Sequence, residues 1–276
     1  MNKRKLHKFF NNKEEFAPNE RLWLFCMLMM IAGFFGGFTF SLRGRVFVNA
    51  QTGNLVFLSL GIATWDTALI KNALATFLAY FCGIITAELI SKKINKTSFL
   101  IWERSLLIFS FIVTICLGFI PETAPYEFTN FPIAFTAAMQ FNTFEKAHGM
   151  GMATPFCTNH VKQASANFVR FLRTRDDNKL RISLSHLSMI LSFIIGATLS
   201  IFLGRFLFGK AIWLSTIFLL ITFYFFSRIK TFSLHSYFNK FTIKSLVMNI
   251  RFFIFFLFSL YKIYKKLISI IISILK

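Results

Sequence analysis

Carboxylates are scarce in this chain: 11 Asp and Glu stand against 31 Lys and Arg. None pair up at expected membrane depth, where an intramembrane protease or transferase would need them. Cysteine is sparse too. Cys26, Cys82, Cys116 and Cys157 form no C-x-x-C pair, and the first three fall within apolar runs. That spacing excludes a zinc or disulfide framework and fits small buried apolar side chains. There is no H-E-x-x-H, G-x-S-x-G, Walker loop or dinucleotide fingerprint. The expectation is therefore a protein that is not an enzyme and holds no cofactor and no metal.

Apolar residues, by contrast, make up 55% of the chain, mean hydropathy is +0.61, and 40 of 276 residues are Phe. A soluble domain of this length could not bury so much apolar surface, so the solvent must be lipid. Runs of about 20 apolar residues, enough to cross a bilayer, recur at about 21–42, 67–91, 99–120, 128–145, 183–205 and 210–227. The first follows a basic leader but is long and lacks a small-x-small cleavage site, so it reads as a retained span. The fold class is all-α, a polytopic integral membrane protein with six spans.

Net charge is +20, and its placement explains it without a polynucleotide. Basic residues lie outside the spans, as the positive-inside rule and anionic headgroups require, and no recognition motif accompanies them. Nucleic acid is excluded as a partner. With six spans and both termini cytoplasmic, Lys92, Lys93, Lys96, Arg170, Arg173, Arg175, Lys179 and Arg181 lie inside, while loop 121–127, with Glu122 and Glu127, lies outside. Eight spans would reverse both. Arg43, Arg45, Arg205 and Lys210 are exceptions on the outer side. The expected location is a bacterial cytoplasmic (inner) membrane.

Two interruptions divide the spans into three plus three. The first is Val46-Phe47-Val48-Asn49-Ala50-Gln51-Thr52-Gly53-Asn54, the second Met152-Ala153-Thr154-Pro155-Phe156-Cys157-Thr158-Asn159-His160. Each opens a segment, about 46–64 and 153–172, that the charge pattern keeps from crossing. An odd number of spans per half makes the halves, about 21–120 and 128–227, an inverted repeat with two broken or re-entrant segments, where transporters place their sites.

Thr52 is expected to cap the helix that follows, Gly53 to permit close backbone approach, and Asn49, Gln51 and Asn54 to add polar groups. Thr158, Asn159 and His160 take the corresponding place in the second half. Gln140 and Asn142, late in span four, would hydrogen-bond across the bundle or face the same cavity. These ten residues are the candidate solute site. Helix N-termini and missing intramembrane carboxylates favour an anionic or neutral polar solute over a metal cation. The plainer alternative is that Thr-Gly-Asn is only a capped loop end and that His160 is a hydrogen-bonded structural group rather than a proton carrier. Gly33, Gly36 and Gly37 fit helix packing. Glu88, Glu103, Arg104, Glu145 and Lys146 sit near span ends, where they would snorkel.

Flanking this core are a basic leader, 1–20, and a tail, 228–276, with nine basic and no acidic residues. From Ser259, polar residues recur at steps of three and four through Lys262, Lys266, Ser269 and Ser273. That one-sided pattern suits an in-plane amphipathic helix on anionic headgroups. A seventh span would bury three lysines at roughly 3 kcal/mol each.

Ala32-Gly33-Phe34 through Thr52-Gly53-Asn54 resembles the YoaK-type bacterial membrane proteins, with A-G-[FY]-x-D-A followed by G-x-V-F-V-x-x-x-T-G-N. Ala138-Met139-Gln140 resembles the family's small-M-Q element, and Thr158 falls at a second T-G position. The resemblance covers about 21–227. Gly36 stands where the family has Asp, and Thr158 is followed by Asn159 rather than glycine. It implies a divergent member whose core is this membrane domain.

The leading function is a small-solute transporter or channel. The alternative is a non-transporting scaffold acting through its basic tail. Expected partners are the lipid bilayer, anionic headgroups at the tail and a small-molecule solute; a homo-oligomer is compatible with the chain.

Overall fold

In lipid every backbone polar group must be satisfied within the protein, which leaves the apolar runs little choice but helix. The computed structural model describes residues 18–94, 101–147, 150–152 and 157–227. The leader and the tail, with the in-plane helix expected there, lie outside the described residues. After a short 3-10 turn, Pro18–Glu20, the helices are α1 Leu22–Leu42, α2 Gln51–Thr64, α3 Thr67–Ile94, α4 Ile101–Leu117 and α5 Glu127–Thr143. A two-residue antiparallel hairpin follows, β1 Lys146–Ala147 with β2 Met150–Gly151. Then come α6 Cys157–Thr174, α7 Asp177–Leu207, a 3-10 segment Phe208–Ile212 and α8 Trp213–Ser227.

The stretches Leu22–Leu42, Thr67–Ser91 and Asp177–Ser227 are long and apolar enough to cross a membrane. Phe208, at φ 50°, turns the last of these, so it is two helices rather than one. Only 22% of its most apolar window is buried. Leu187, Leu191, Ile194, Ile195, Phe202 and Phe206 lie on the outside, a surface only lipid can solvate. This is an all-helical membrane protein. At 1.5 Å per residue, the 17 residues of α4 and of α5 and the 15 of α8 rise roughly 22–26 Å, less than a hydrocarbon core of about 30 Å.

Lipid tails supply no hydrophobic drive between helices, so close backbone approach has to hold them. Small residues provide it twice. α1 packs on α7, where a Cβ on Gly33 would strike the Phe193 carbonyl and one on Gly196 the Met30 carbonyl. α3 packs on α5, where a Cβ on Gly83 would meet the Phe135 carbonyl and Ala138. α2 lies along α3, α6 along α7, and α4 meets α8. Phe34 and Phe218, edge to face at 6.3 Å, join α1 to α8.

Helix starts depart from the sequence reading at two places. α7 begins at Asp177, capped by Asp176, whose Oδ1 accepts from the Asn178 N–H at 2.9 Å; hydropathy could not register these polar opening turns. α2 begins at Gln51 with Ala50 in the cap position and no side-chain cap, so Thr52 is not the cap expected of it. Thr52 lies exposed inside the first turn.

Arg43 accounts for one charge exception. It is buried, and its guanidinium pairs with Glu122 at 3.1 and 3.4 Å while its carbonyl accepts from Asn72 and Asn130. Glu103 and Arg104 do not snorkel. Both are buried, and Glu103 accepts from the Asn19 amide at 3.3 Å.

Candidate functional site

Between α1 and α2 the chain runs non-helically, and its polar groups need partners. Asn54, one turn into α2, reaches back over this stretch. Its Oδ1 accepts from the Phe47 N–H at 2.9 Å and its Nδ2 donates to the Phe47 carbonyl. One side-chain amide thus satisfies both main-chain groups of Phe47, as a neighbouring strand would. Gln51 holds the amide in place, accepting from Asn54 Nδ2 at 3.0 Å and donating to the Val48 carbonyl at 3.2 Å. The Phe47 ring stacks between Phe40 at 4.8 Å and Phe57 at 6.0 Å. A Cβ on Gly53 would come within 3.0 Å of that ring, so the expected close approach at Gly53 is to a side chain of the same break. Gln51, Gly53 and Asn54 therefore act on the break itself.

Asn49 points elsewhere. It is buried, it donates to the Ala32 carbonyl at 2.8 Å, and it lies beside Gly36. Together with Leu28, Ala32, Phe35, Ala137, Gln140 and Phe141 it lines a cavity of about 20 Å³ between α1 and α5, room for one water-sized group. Gln140 donates to Ser110 Oγ on α4 at 2.9 Å. Each amide uses its NH₂ on a neighbour, and neither amide oxygen has a hydrogen-bond partner among the described residues. Two of the ten candidate residues, from opposite halves of the chain, thus meet at one interior point.

The second break is approached differently. The β1–β2 hairpin comes just before it, with Lys146 opposite Gly151. Ala153–Phe156, the apex of the interruption, lie outside the described residues. Asn142 and Asn159 line a cavity of about 390 Å³ with Phe141, Glu145, Gly151 and Met152. Phe141 lines both this cavity and the small interior one. Asn142 also donates to Glu88 at 3.4 Å.

Thr158 is exposed on the first turn of α6, whereas His160 is buried. Its Nδ1 lies 2.8 Å from Nδ1 of His186 on α7. One ring must donate and the other accept, so each fixes the tautomer of its partner. The sequence reading missed His186, although a histidine inside an apolar span is a signal. It also missed Ser110 and Phe141, which nothing in their local sequence marks. Among the described residues no three His, Cys, Asp or Glu side chains group as a metal site.

The sequence has known relatives. The transmembrane protein YoaK of Bacillus subtilis (strain 168), which carries the family label UPF0700, is 25% identical over 148 residues. That match covers 51% of this chain and 64% of the relative, a little under two thirds of its length. No solved structure matches. A sequence model described as protein of unknown function (DUF1275) matches residues 24–225, a stretch running from the start of α1 nearly to the end of α8. The chain belongs to the DUF1275 family.

Proposed function

We propose that this protein is a small-solute transporter or channel of a bacterial cytoplasmic membrane, with six spans in a 3+3 inverted repeat. The observation that carries the reading is the meeting of Asn49 and Gln140 at a small cavity between α1 and α5, with Phe141 lining both it and the larger cavity nearby. The helix contacts support the repeat. Exchanging the halves maps α1 onto α5, α2 onto α6, α3 onto α7 and α4 onto α8. The α1–α7 packing then becomes α5–α3, α2–α3 becomes α6–α7, and α4–α8 maps onto itself; each of these contacts exists. Counting α4, α5 and α8 as spans requires flanking residues to complete the crossing, or the bilayer to thin around them. The loop charges favour cytoplasmic termini.

Two amide oxygens suit a solute that donates hydrogen bonds, which narrows the expected class to neutral polar molecules. No covalent chemistry is assigned, so the protein is read as not an enzyme. The bilayer is its proposed partner, with anionic headgroups at the tail.

Uptake into proteoliposomes of a panel of neutral polar solutes tests the reading. Gln140→Leu should lower uptake tenfold or more at unchanged protein content, and Phe141→Ala should raise it. Uptake unchanged in both variants sinks the site. The rival, a scaffold acting through its basic tail, gains if no solute is taken up and deletion of 241–276 alone removes the cellular phenotype.

A further inference from the structure

A third cavity, of about 440 Å³, opens at the end of the bundle where α1 gives way to the first break. It shares no lining residue with the Asn49–Gln140 cavity. Its size falls among small-ligand sites, and its walls are of two kinds. Phe40, Leu42, Phe57, Leu60, Leu69 and Tyr126 form an apolar and aromatic side. Arg45 and Asp66 supply one charge of each sign.

Those two charges do not neutralise each other. No ion pair joins them, and among the described residues the Arg45 guanidinium makes no hydrogen bond or ion pair at all. Asp66 uses Oδ1 to accept from the Ala68 and Leu69 N–H groups, both at 3.0 Å, while Oδ2 makes no hydrogen bond among the described residues. The backbone at Arg45 is unusual as well. Its φ of 57° lies in the left-handed region, immediately after Gly44 at 81°. A non-glycine residue held there costs energy, and such residues gather at ligand sites. The neighbouring Arg43 differs: it is buried and engaged with Glu122, so the cavity keeps one cation and one anion for a visitor.

We propose that this cavity binds a zwitterion with an apolar body: an anionic group on Arg45, a primary ammonium at Asp66, and the apolar part against Phe40, Phe57 and Leu60. Two sources carry that chemistry, a free amino acid with an apolar side chain and the headgroup of phosphatidylethanolamine. The proposal goes beyond the transport reading. Binding is measured without uptake, so either can fail while the other stands.

The experiment is thermal stabilisation and calorimetric titration of the full-length protein in detergent. The probes are L-leucine and lysophosphatidylethanolamine. Leucinamide and 4-methylpentanoate, each lacking one charge, and lysophosphatidylcholine, which lacks ammonium N–H groups, are the comparators. A ligand of the folded state raises its stability by mass action. Saturable binding of L-leucine or of lysophosphatidylethanolamine, at least tenfold tighter than their comparators, is expected, and the responding arm names the source. Asp66→Asn keeps the helix cap, and Arg45→Asn keeps a residue tolerant of positive φ; each should weaken binding tenfold or more, while Lys162→Gln, exposed on α6, leaves it unchanged. Absence of binding in both arms overturns the proposal. So does equal binding of the comparators to the unmodified protein, or binding indifferent to both substitutions.

Discussion

The first break and the approach to the second satisfy their backbone by different means. The first closes on itself: the Asn54 amide takes both polar groups of Phe47, and Gln51 holds that amide. Ahead of the second, main chain pairs with main chain in the β1–β2 hairpin, and beyond it α6 docks on α7 through the His160–His186 contact. The requirement, no unpaired backbone group near lipid, is common to both. The means is local: a side-chain amide in one place, a hairpin in the other.

The largest separation between the breaks should come from Asn54→Leu. It strands the N–H and carbonyl of Phe47, at about 1–3 kcal/mol for each group left without a partner. Folded yield and detergent resistance should fall sharply, whereas Asn159→Leu in the second half should leave both nearly unchanged. Equal losses would mean that Asn159 braces the second break as Asn54 braces the first.

His160→Leu comes next. It leaves His186 Nδ1 buried without this hydrogen bond, a loss of about 1–3 kcal/mol. Unfolding in a graded denaturing detergent should show it. An unchanged midpoint would mean that α6 is held by its other contacts, such as Ser183 Oγ to the Ala164 carbonyl at 2.8 Å.

The finest test compares two glycines. Gly53→Ala brings a Cβ to 3.0 Å from the Phe47 ring, whereas one on Gly151 meets nothing within 4 Å. The first should cost about 1 kcal/mol through overpacking and the second should stay within about 0.5 kcal/mol. Midpoints of thermal unfolding in detergent distinguish them. A loss at Gly151 as large as that at Gly53 would show the hairpin to be as tightly packed as the first break.

Hydropathy located the apolar helices because burial in lipid leaves so few alternatives, and the glycines at Gly33 and Gly37 read correctly as packing residues. Positions where one side chain answers to another distant in sequence were harder. Nothing around Asn49 says that it will face Gln140, and nothing around Arg43 says that Glu122 will neutralise it. Thr52 looked like a cap because Ser, Thr, Asp and Asn favour that role. In the structure Asn54, two residues on, already anchors the start of α2 to Phe47, and Thr52 faces outward.

The Gly33–Gly196 crossing bears on synthesis. α1 emerges early, yet the surface that receives it is on α7; Cys26 and Ser188, which meet across that interface, lie 162 positions apart. At 5–20 residues per second, α1 waits on the order of 10–30 s before its partner exists. Throughout that interval its glycine face has lipid, or the insertion machinery, as its neighbour. α3 and α5 stand in the same relation across the halves, so neither half can assemble its own tightest contact. The α1–α7 contact is therefore obligately late, gated by arrival of the last third of the domain.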